Sequence, residues 1–343
     1  LSERRSAEPP NRLQNDPFAA VDEMLDGIRA LFGSRITTTA GGRGIVLTDR
    51  SPRRRVSILT GGGSGHEPGF FGYLGPGLAD AVAVGNIFAS PSAIPTVEAV
   101  TMIGLPSLFI FGNYDGDVMN FGMAADLLAD AGFDTATVLV TDDIVSAPVG
   151  SEAERRGVAG DLIVIKAAGA RADEGGSLDD VVAAARHANA RTRTAGVGLQ
   201  GCTLPTSSTP IFALPGGMMD VGVGLHGEAG IRRGPLLPAD EVAAELLTVI
   251  LAELPLGAGD RAAIVVNLLG ATPYLEGFIV LRAISGALER AGVRVVCTGV
   301  GEYFTSLDMR GLSITLTAVD DELERLLTAP SQPLYAPRLY PAR

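Results

Sequence analysis

Apolar residues fall along this chain in short runs that stop at glycine or acidic residues, separated by stretches where they recur every three or four positions. Phe18, Val21, Leu25, Ile28 and Phe32 share one helical face after Asp16-Pro17, a good cap followed by a residue suited to the first helical position, and Gly33 ends the pattern. Residues 56–59 read as a buried strand feeding the Gly-rich loop 60–66. Residues 108–111, 137–141 and 162–165 are further strand-like runs, ending at Gly112-Asn113-Tyr114, at Asp142-Asp143 and at Lys166. Helical spacing covers 118–131 and 181–190, the latter opened by a capping-box-like Ser177-Leu178-Asp179-Asp180. A second series begins near Gly196. Residues 221–225, 263–269, 293–297 and 314–316 predict strands, and 239–254 an amphipathic helix with Val242, Leu246, Leu247, Ile250 and Leu254 on one side. Strands alternating with helices imply βαβ units. The expected class is therefore α/β, with two α/β domains of largely parallel or mixed sheets flanked by helices, over residues 1–195 and 196–343. The Pro-rich tail 330–343 is expected to cross the surface or lead into a linker.

Composition narrows the function more than the fold. With 343 residues, 46% of them hydrophobic and 19% charged, the chain can build two cores. Its 44 glycines and lack of Trp suit tightly packed α/β layers. A net charge of −12 argues against nucleic-acid binding. No run of about 18 apolar residues is present, so no membrane span is expected. Residues 1–15 are polar and do not read as a secretory signal. Cys202 and Cys297 lie far apart and read as ordinary buried thiols of a cytoplasmic protein.

Three histidines can be weighed one by one. His187 sits in a charged helix and reads as solvated. His66 and His226 each follow a strand among glycines, in Gly-Ser-Gly-His-Glu-Pro and Val-Gly-Leu-His-Gly-Glu. Ligands of open α/β sheets bind beyond the carboxyl ends of strands, and glycines there let backbone approach a ligand. Asp117 lies between a strand and a helix, where it could be a helix cap or a catalytic carboxylate. Asp115, Asp142 and Asp143 also follow strands, but caps or turns suffice for them. Lys166 is the only lysine, so the Gly61–Gly65 loop is not a Walker A loop, and it lacks the Rossmann spacing. A serine hydrolase fits poorly because His66 stands where the last Gly of Gly-x-Ser-x-Gly belongs. The scattered histidines and cysteines predict no metal site.

Several motifs occur in one order: Thr60-Gly61-Gly62-Gly63-Ser64-Gly65-His66-Glu67-Pro68, Gly72-Tyr73, Phe88-Ala89-Ser90-Pro91, Asn113-Tyr114 with Gly116-Asp117-Val118-Met119-Asn120-Phe121, Arg155-Arg156-Gly157-Val158-Ala159-Gly160, Gly222-Val223-Gly224-Leu225-His226-Gly227-Glu228 and Thr305-Ser306-Leu307-Asp308-Met309. Together they resemble the substrate-binding subunit of dihydroxyacetone kinases over roughly residues 15–330. The resemblance implies a ketose pocket, a homodimer, and a hemiaminal between His226 and the substrate carbonyl, with His66 and Asp117 assisting proton transfer. It also implies that Gly62, Gly63, Ser64, Gly65 and Ser90 shape the pocket. ATP and Mg²⁺, or ADP as a phosphotransfer relay, are expected on an all-helical nucleotide-binding domain, fused or separate. Gly112 stands where the family commonly has Lys, which is expected to leave room for a C4 ketose such as erythrulose. The alternative is a non-catalytic covalent ketose sensor acting as a regulatory co-activator.

Overall fold

A computed structural model describes residues 12–342. The apolar spacing after Asp16 yields α1 (Ala20–Phe32), with Val21, Leu25 and Ile28 buried. It begins later than predicted: Asp16 accepts the Phe18 N–H (2.9 Å) in a preceding turn, and Ala19 is the N-cap. There follow β1 (Ile36–Thr38), β2 (Gly44–Leu47), β3 (Ser57–Ser64), β4 (Ala81–Ile87), α2 (Ala93–Ile103), β5 (Ser107–Gly112), α3 (Asp115–Asp130) and β6 (Thr135–Val140). They make a six-stranded sheet in the order β1-β2-β4-β3-β5-β6. Its strands β4, β3, β5 and β6 are parallel, and β1 and β2 extend one edge antiparallel. Glycines 61–63, predicted as loop, continue β3 as far as Ser64.

Helices α4 (Asp161–Asp173) and α5 (Leu178–Ala190) come next. Residues 162–165, predicted as a strand, lie in α4. That helix is buried on nearly every side, so its apolar residues lose helical periodicity and a four-residue run looks like a core strand. The predicted capping box on α5 is present, with Ser177 and Asp180 bonding each other's backbone N–H.

The second sheet gathers β7 (Thr192–Gln200), β8 (Met218–Val221), β9 (Arg232–Pro235), β10 (Arg261–Leu268), β11 (Arg294–Gly301), β12 (Arg310–Ala318) and β13 (Tyr340–Pro341), with α6 (Ala239–Glu253), α7 (Tyr274–Arg290) and α8 (Asp321–Thr328) between them. Its order is β13-β11-β10-β12-β7-β8-β9. It is mixed. The β10–α7–β11 unit is parallel, and the other named pairings are antiparallel. The predicted strand over 221–225 stops at Val221, because Gly222 (φ +80°) turns the chain.

Three apolar clusters separate the layers. One lies between the first sheet and α2 and α3 (Leu59, Phe109, Phe121), and one between the second sheet and α6 and α7 (Leu246, Ile264, Ile284). The largest runs between the two sheets through α1, α4, α5 and α8 (Leu25, Ile58, Ile163, Val181, Val265, Leu323), so both halves share one core. The tail also joins them. Ala336 N–H bonds the Gly72 carbonyl (3.2 Å), Tyr335 stacks on Phe71, and β13 pairs with β11.

Candidate functional site

The site lies beyond the carboxyl ends of β3, β4 and β5, where loops of the second half meet them. At the end of β3, Gly65 (φ +96°) turns the chain beneath the Phe88 ring and delivers His66 into the seam. His66 is 4% exposed and stacks between Phe88 (centroids 5.0 Å) and Phe304 (5.1 Å). The loop between β11 and β12 stitches the seam. The Leu307 N–H bonds the Gly65 carbonyl (2.7 Å), the Thr305 hydroxyl bonds the Glu67 carbonyl (2.8 Å), and the Ser306 hydroxyl bonds the Leu225 carbonyl.

His226 comes from the turn after β8. There the Gly224 N–H bonds the Glu228 carbonyl (2.9 Å) and Gly227 takes φ +88°. Its Nε2 lies 3.1 Å from Nε2 of His66. The polarity of that contact follows from the far side of His66, where Nδ1 lies 2.7 Å from the Thr305 carbonyl, which only accepts. His66 therefore carries its hydrogen on Nδ1 and turns the lone pair of its Nε2 toward the His226 ring. Burial first, and His226 second, push His66 down to about 3, so it stays neutral. The Phe88 and Tyr114 rings meet His226 edge-on, at 5.0 and 5.2 Å.

Asp117 is the third residue of α3, whose N-cap is Tyr114, so Asp117 is not the cap. It is buried, and its Oδ1 has no hydrogen-bond partner within the protein. Burial raises its carboxyl to about 6, opposed by the Ser90 hydroxyl and His226. The Tyr114 hydroxyl is likewise buried without a partner. An unsatisfied polar atom beside a cleft suits a hydroxylated ligand.

The remaining predicted residues line or support this cleft unequally. A Cβ on Gly62 would strike the Phe70 ring, and one on Gly63 the backbone of Phe88 and Ala89, so both glycines face protein. The Ser64 hydroxyl donates to the Gly85 carbonyl (2.8 Å), a structural joint. Ser90 faces Asp117. Gly112 does not open space as expected: a Cβ there would lie 3.0 Å from both the Gly157 carbonyl oxygen and the Tyr114 ring, which fill that volume. His187, on α5, pairs with Asp320, the N-cap of α8 (2.6 Å), and makes no contact with His66, His226 or Asp117.

Two residues that sequence reasoning passed over stand at the site. The Glu228 carboxylate accepts the His226 backbone N–H (3.0 Å) and lies 3.5 Å from His226 Nδ1. Arg156 reaches it at 3.4 Å. Burial would raise Glu228, but the hydrogen bond from His226, its backbone and Arg156 hold it down at about 2. Both residues lie inside the ordered motifs, and an acid two positions beyond a histidine on a glycine turn is the signal the sequence carries.

The Dak1 domain profile matches residues 26–334. The chain is 45% identical over 327 residues to the PTS-dependent dihydroxyacetone kinase 2, dihydroxyacetone-binding subunit DhaK, of Listeria innocua, covering 94% of this chain and 98% of that one. It is also 45% identical over 325 residues to the L-erythrulose kinase of Pectobacterium atrosepticum, covering 93% of this chain but 55% of that one. The crystal structure of the dihydroxyacetone kinase of C. freundii superposes with a TM-score of 0.87 at 30% identity, over 97% of this chain and 61% of that chain.

Proposed function

The chain belongs to the Dak1 domain family, and from that premise we propose that it is the substrate-binding part of a ketose kinase. It holds dihydroxyacetone or a C4 ketose such as erythrulose as a hemiaminal on His226 while a terminal hydroxyl is phosphorylated. The observation that carries this is the Nε2–Nε2 contact of 3.1 Å, which sets a neutral His66 with an open acceptor beside the ring of His226.

Capture then balances by exchange of one proton with water. The Nε2 lone pair of His226 forms a bond to the carbonyl carbon. The carbonyl π pair moves to oxygen, which takes a proton from water, while Nδ1 of the alkylated ring gives one up. Burial keeps His66 neutral, so its Nε2 accepts a hydrogen bond from the new hydroxyl. Glycerol and other polyols have no carbonyl and are refused whatever their shape. Asp117, with its unpartnered oxygen and a carboxyl at about 6, is suited to take the proton of the terminal hydroxyl as that oxygen attacks phosphorus.

ATP and Mg²⁺, or ADP as a relay, belong in this proposal to an all-helical partner domain or subunit. Among the described residues no three His, Cys, Asp or Glu side chains gather as a metal site, and no lysine follows the Gly-rich segment. This chain's own part ends at holding the ketose and receiving the hydroxyl proton. A homodimer in the cytoplasm completes the reading. It is supported by the family resemblance and by two unpaired buried thiols, and no described helix is long and apolar enough to cross a membrane.

The test is mass spectrometry of protein incubated with dihydroxyacetone or erythrulose, beside a His226→Ala control. The expected result is a gain of one whole ketose, without loss of water, on the peptide containing His226 and absent from the control. A folded protein that gains no mass with any short ketose overturns the covalent reading. Capture without phosphorylation, in the presence of a competent nucleotide partner, supports the sensor instead.

A further inference from the structure

Arg155 and Arg156 are neighbours with separate tasks. Arg155 is buried and clamps Glu253 of α6 through two hydrogen bonds (2.7 and 2.9 Å), fixing the segment to the second half. Arg156 is fixed at both ends. Its N–H bonds the Ser146 hydroxyl (3.0 Å), and its carbonyl accepts the Asp143 N–H (3.0 Å). Its guanidinium bonds Asp143 Oδ2 through Nε (3.0 Å) and Nη2 (2.8 Å), and extends Nη1 toward Glu228 Oε1 (3.4 Å). Glu228 in turn grips the residue before its glycine neighbour twice, at the His226 backbone N–H and facing ring Nδ1. The sequence has cleared space for this chain of contacts, because a Cβ on Gly224 would run into both the Arg156 guanidinium and the Glu228 carboxylate.

We infer that Glu228, braced by Arg156 and Asp143, is a positioning residue that draws the imidazole proton of His226 to Nδ1 and so leaves Nε2 as the nucleophile. This rests on the covalent reading of His226 given above. The physical reason is a competition. His66 Nε2 offers an acceptor at one end of the His226 ring and the Glu228 carboxylate offers one at the other, and a neutral ring has one hydrogen to give. With only His66 to satisfy, a neutral ring keeps its proton on Nε2, where the nitrogen lone pair belongs to the π system and cannot attack a carbonyl. A carboxylate is the stronger acceptor, since charge-assisted hydrogen bonds are about twice as strong as neutral ones. It also balances the cation that forms when Nε2 becomes bonded to carbon. Arg156 holds that carboxylate ionised and aimed, and Asp143 holds Arg156.

Selective ¹⁵N-histidine labelling reads the tautomer directly, because only three histidines contribute signals and His187→Gln and His226→Ala variants assign them. In the full chain without ketose, His226 should carry its proton on Nδ1. The Glu228→Gln variant keeps an acceptor for the His226 backbone N–H but removes the charge. It should move the proton to Nε2 and slow ketose capture by about 10–100-fold, the range typical of residues that orient a reactive ligand. Arg156→Met should do the same to a smaller degree and Arg156→Lys should recover part of the loss, with thermal unfolding and circular dichroism checking that each variant is folded. An unchanged ¹⁵N pattern in folded Glu228→Gln overturns the inference, as does capture at the parental rate. Should the parent itself capture no ketose, the covalent reading falls, while the ¹⁵N pattern still decides whether Glu228 sets the tautomer.

Discussion

His66 and His226 face each other across 3.1 Å and share almost nothing else. His66 stands at the end of a buried parallel strand, stacked between two phenylalanines and tied to a backbone carbonyl. His226 has 28% of its side chain exposed, rides a glycine turn and faces a carboxylate. Identical imidazoles thus receive opposite assignments from their surroundings, one a neutral acceptor held on both faces, the other the ring we propose as the nucleophile. Desolvation and a fixed carbonyl suffice for the first. The second requires access to solvent, a turn able to adapt and a counter-charge.

Substitutions separate the two surroundings. The largest effect is expected from Asp117→Asn, which should leave capture on His226 intact and lower phosphorylation about 10²–10⁴-fold, read in a coupled assay with the nucleotide partner. In the parent protein the same step should fail as pH drops below about 6, when Asp117 takes up its proton. Stability should move the other way. Because the folded-state carboxyl lies above its ordinary 3.8, burying its charge costs stability that is absent below 3.8 and fully present above about 6. Asp117→Asn should therefore raise the unfolding free energy at pH 7 by about 2 kcal/mol, a gain that fades toward pH 4.

A smaller effect is expected at His66. His66→Leu removes the acceptor and should slow capture about 100-fold, measured as the rate of mass gain. It should also flatten the acid limb of stability. The parent loses up to about 1.4 kcal/mol per pH unit as pH falls from 6.5 toward 3, because only the unfolded histidine gains its proton there. The smallest effect is expected from Phe88→Leu, which opens one face of the stack. It should cost about 1–2 kcal/mol in urea unfolding and shorten that acid limb, as water returns and His66 rises toward its ordinary value.

The first half was the more legible in sequence. Strands β3 and β5 are apolar runs that stop at glycine, and the residues after them, His66 and Asp117, are those the fold presents. Local pattern and βαβ connection carry that information. The second half depends on pairings between residues far apart in the chain. β12 inserts between β10 and β7, and no periodicity encodes the insertion. Helix α4 was misread because full burial erases the signal that separates helix from strand. Glu228 and Arg156 were in view as letters but not as a pair, since 72 positions separate them and only the folded turn brings them within 3.4 Å. Gly112 shows the converse error: a missing side chain suggested a vacancy that a neighbouring tyrosine had already filled.

The seam has a consequence for how long the folded chain lasts. His66 and His226 arrive from different halves and are joined by Thr305, Ser306 and Leu307 across the largest core, so a ketose held as proposed would be captured only while the halves are together. A sugar bound there is a ligand of the native state alone, and at 100 times its dissociation constant it would add about 2.7 kcal/mol against unfolding. On the proposed function, substrate supply would then enter the survival of the protein: abundant ketose would slow its loss to unfolding, and scarcity would leave the seam to its own hydrogen bonds.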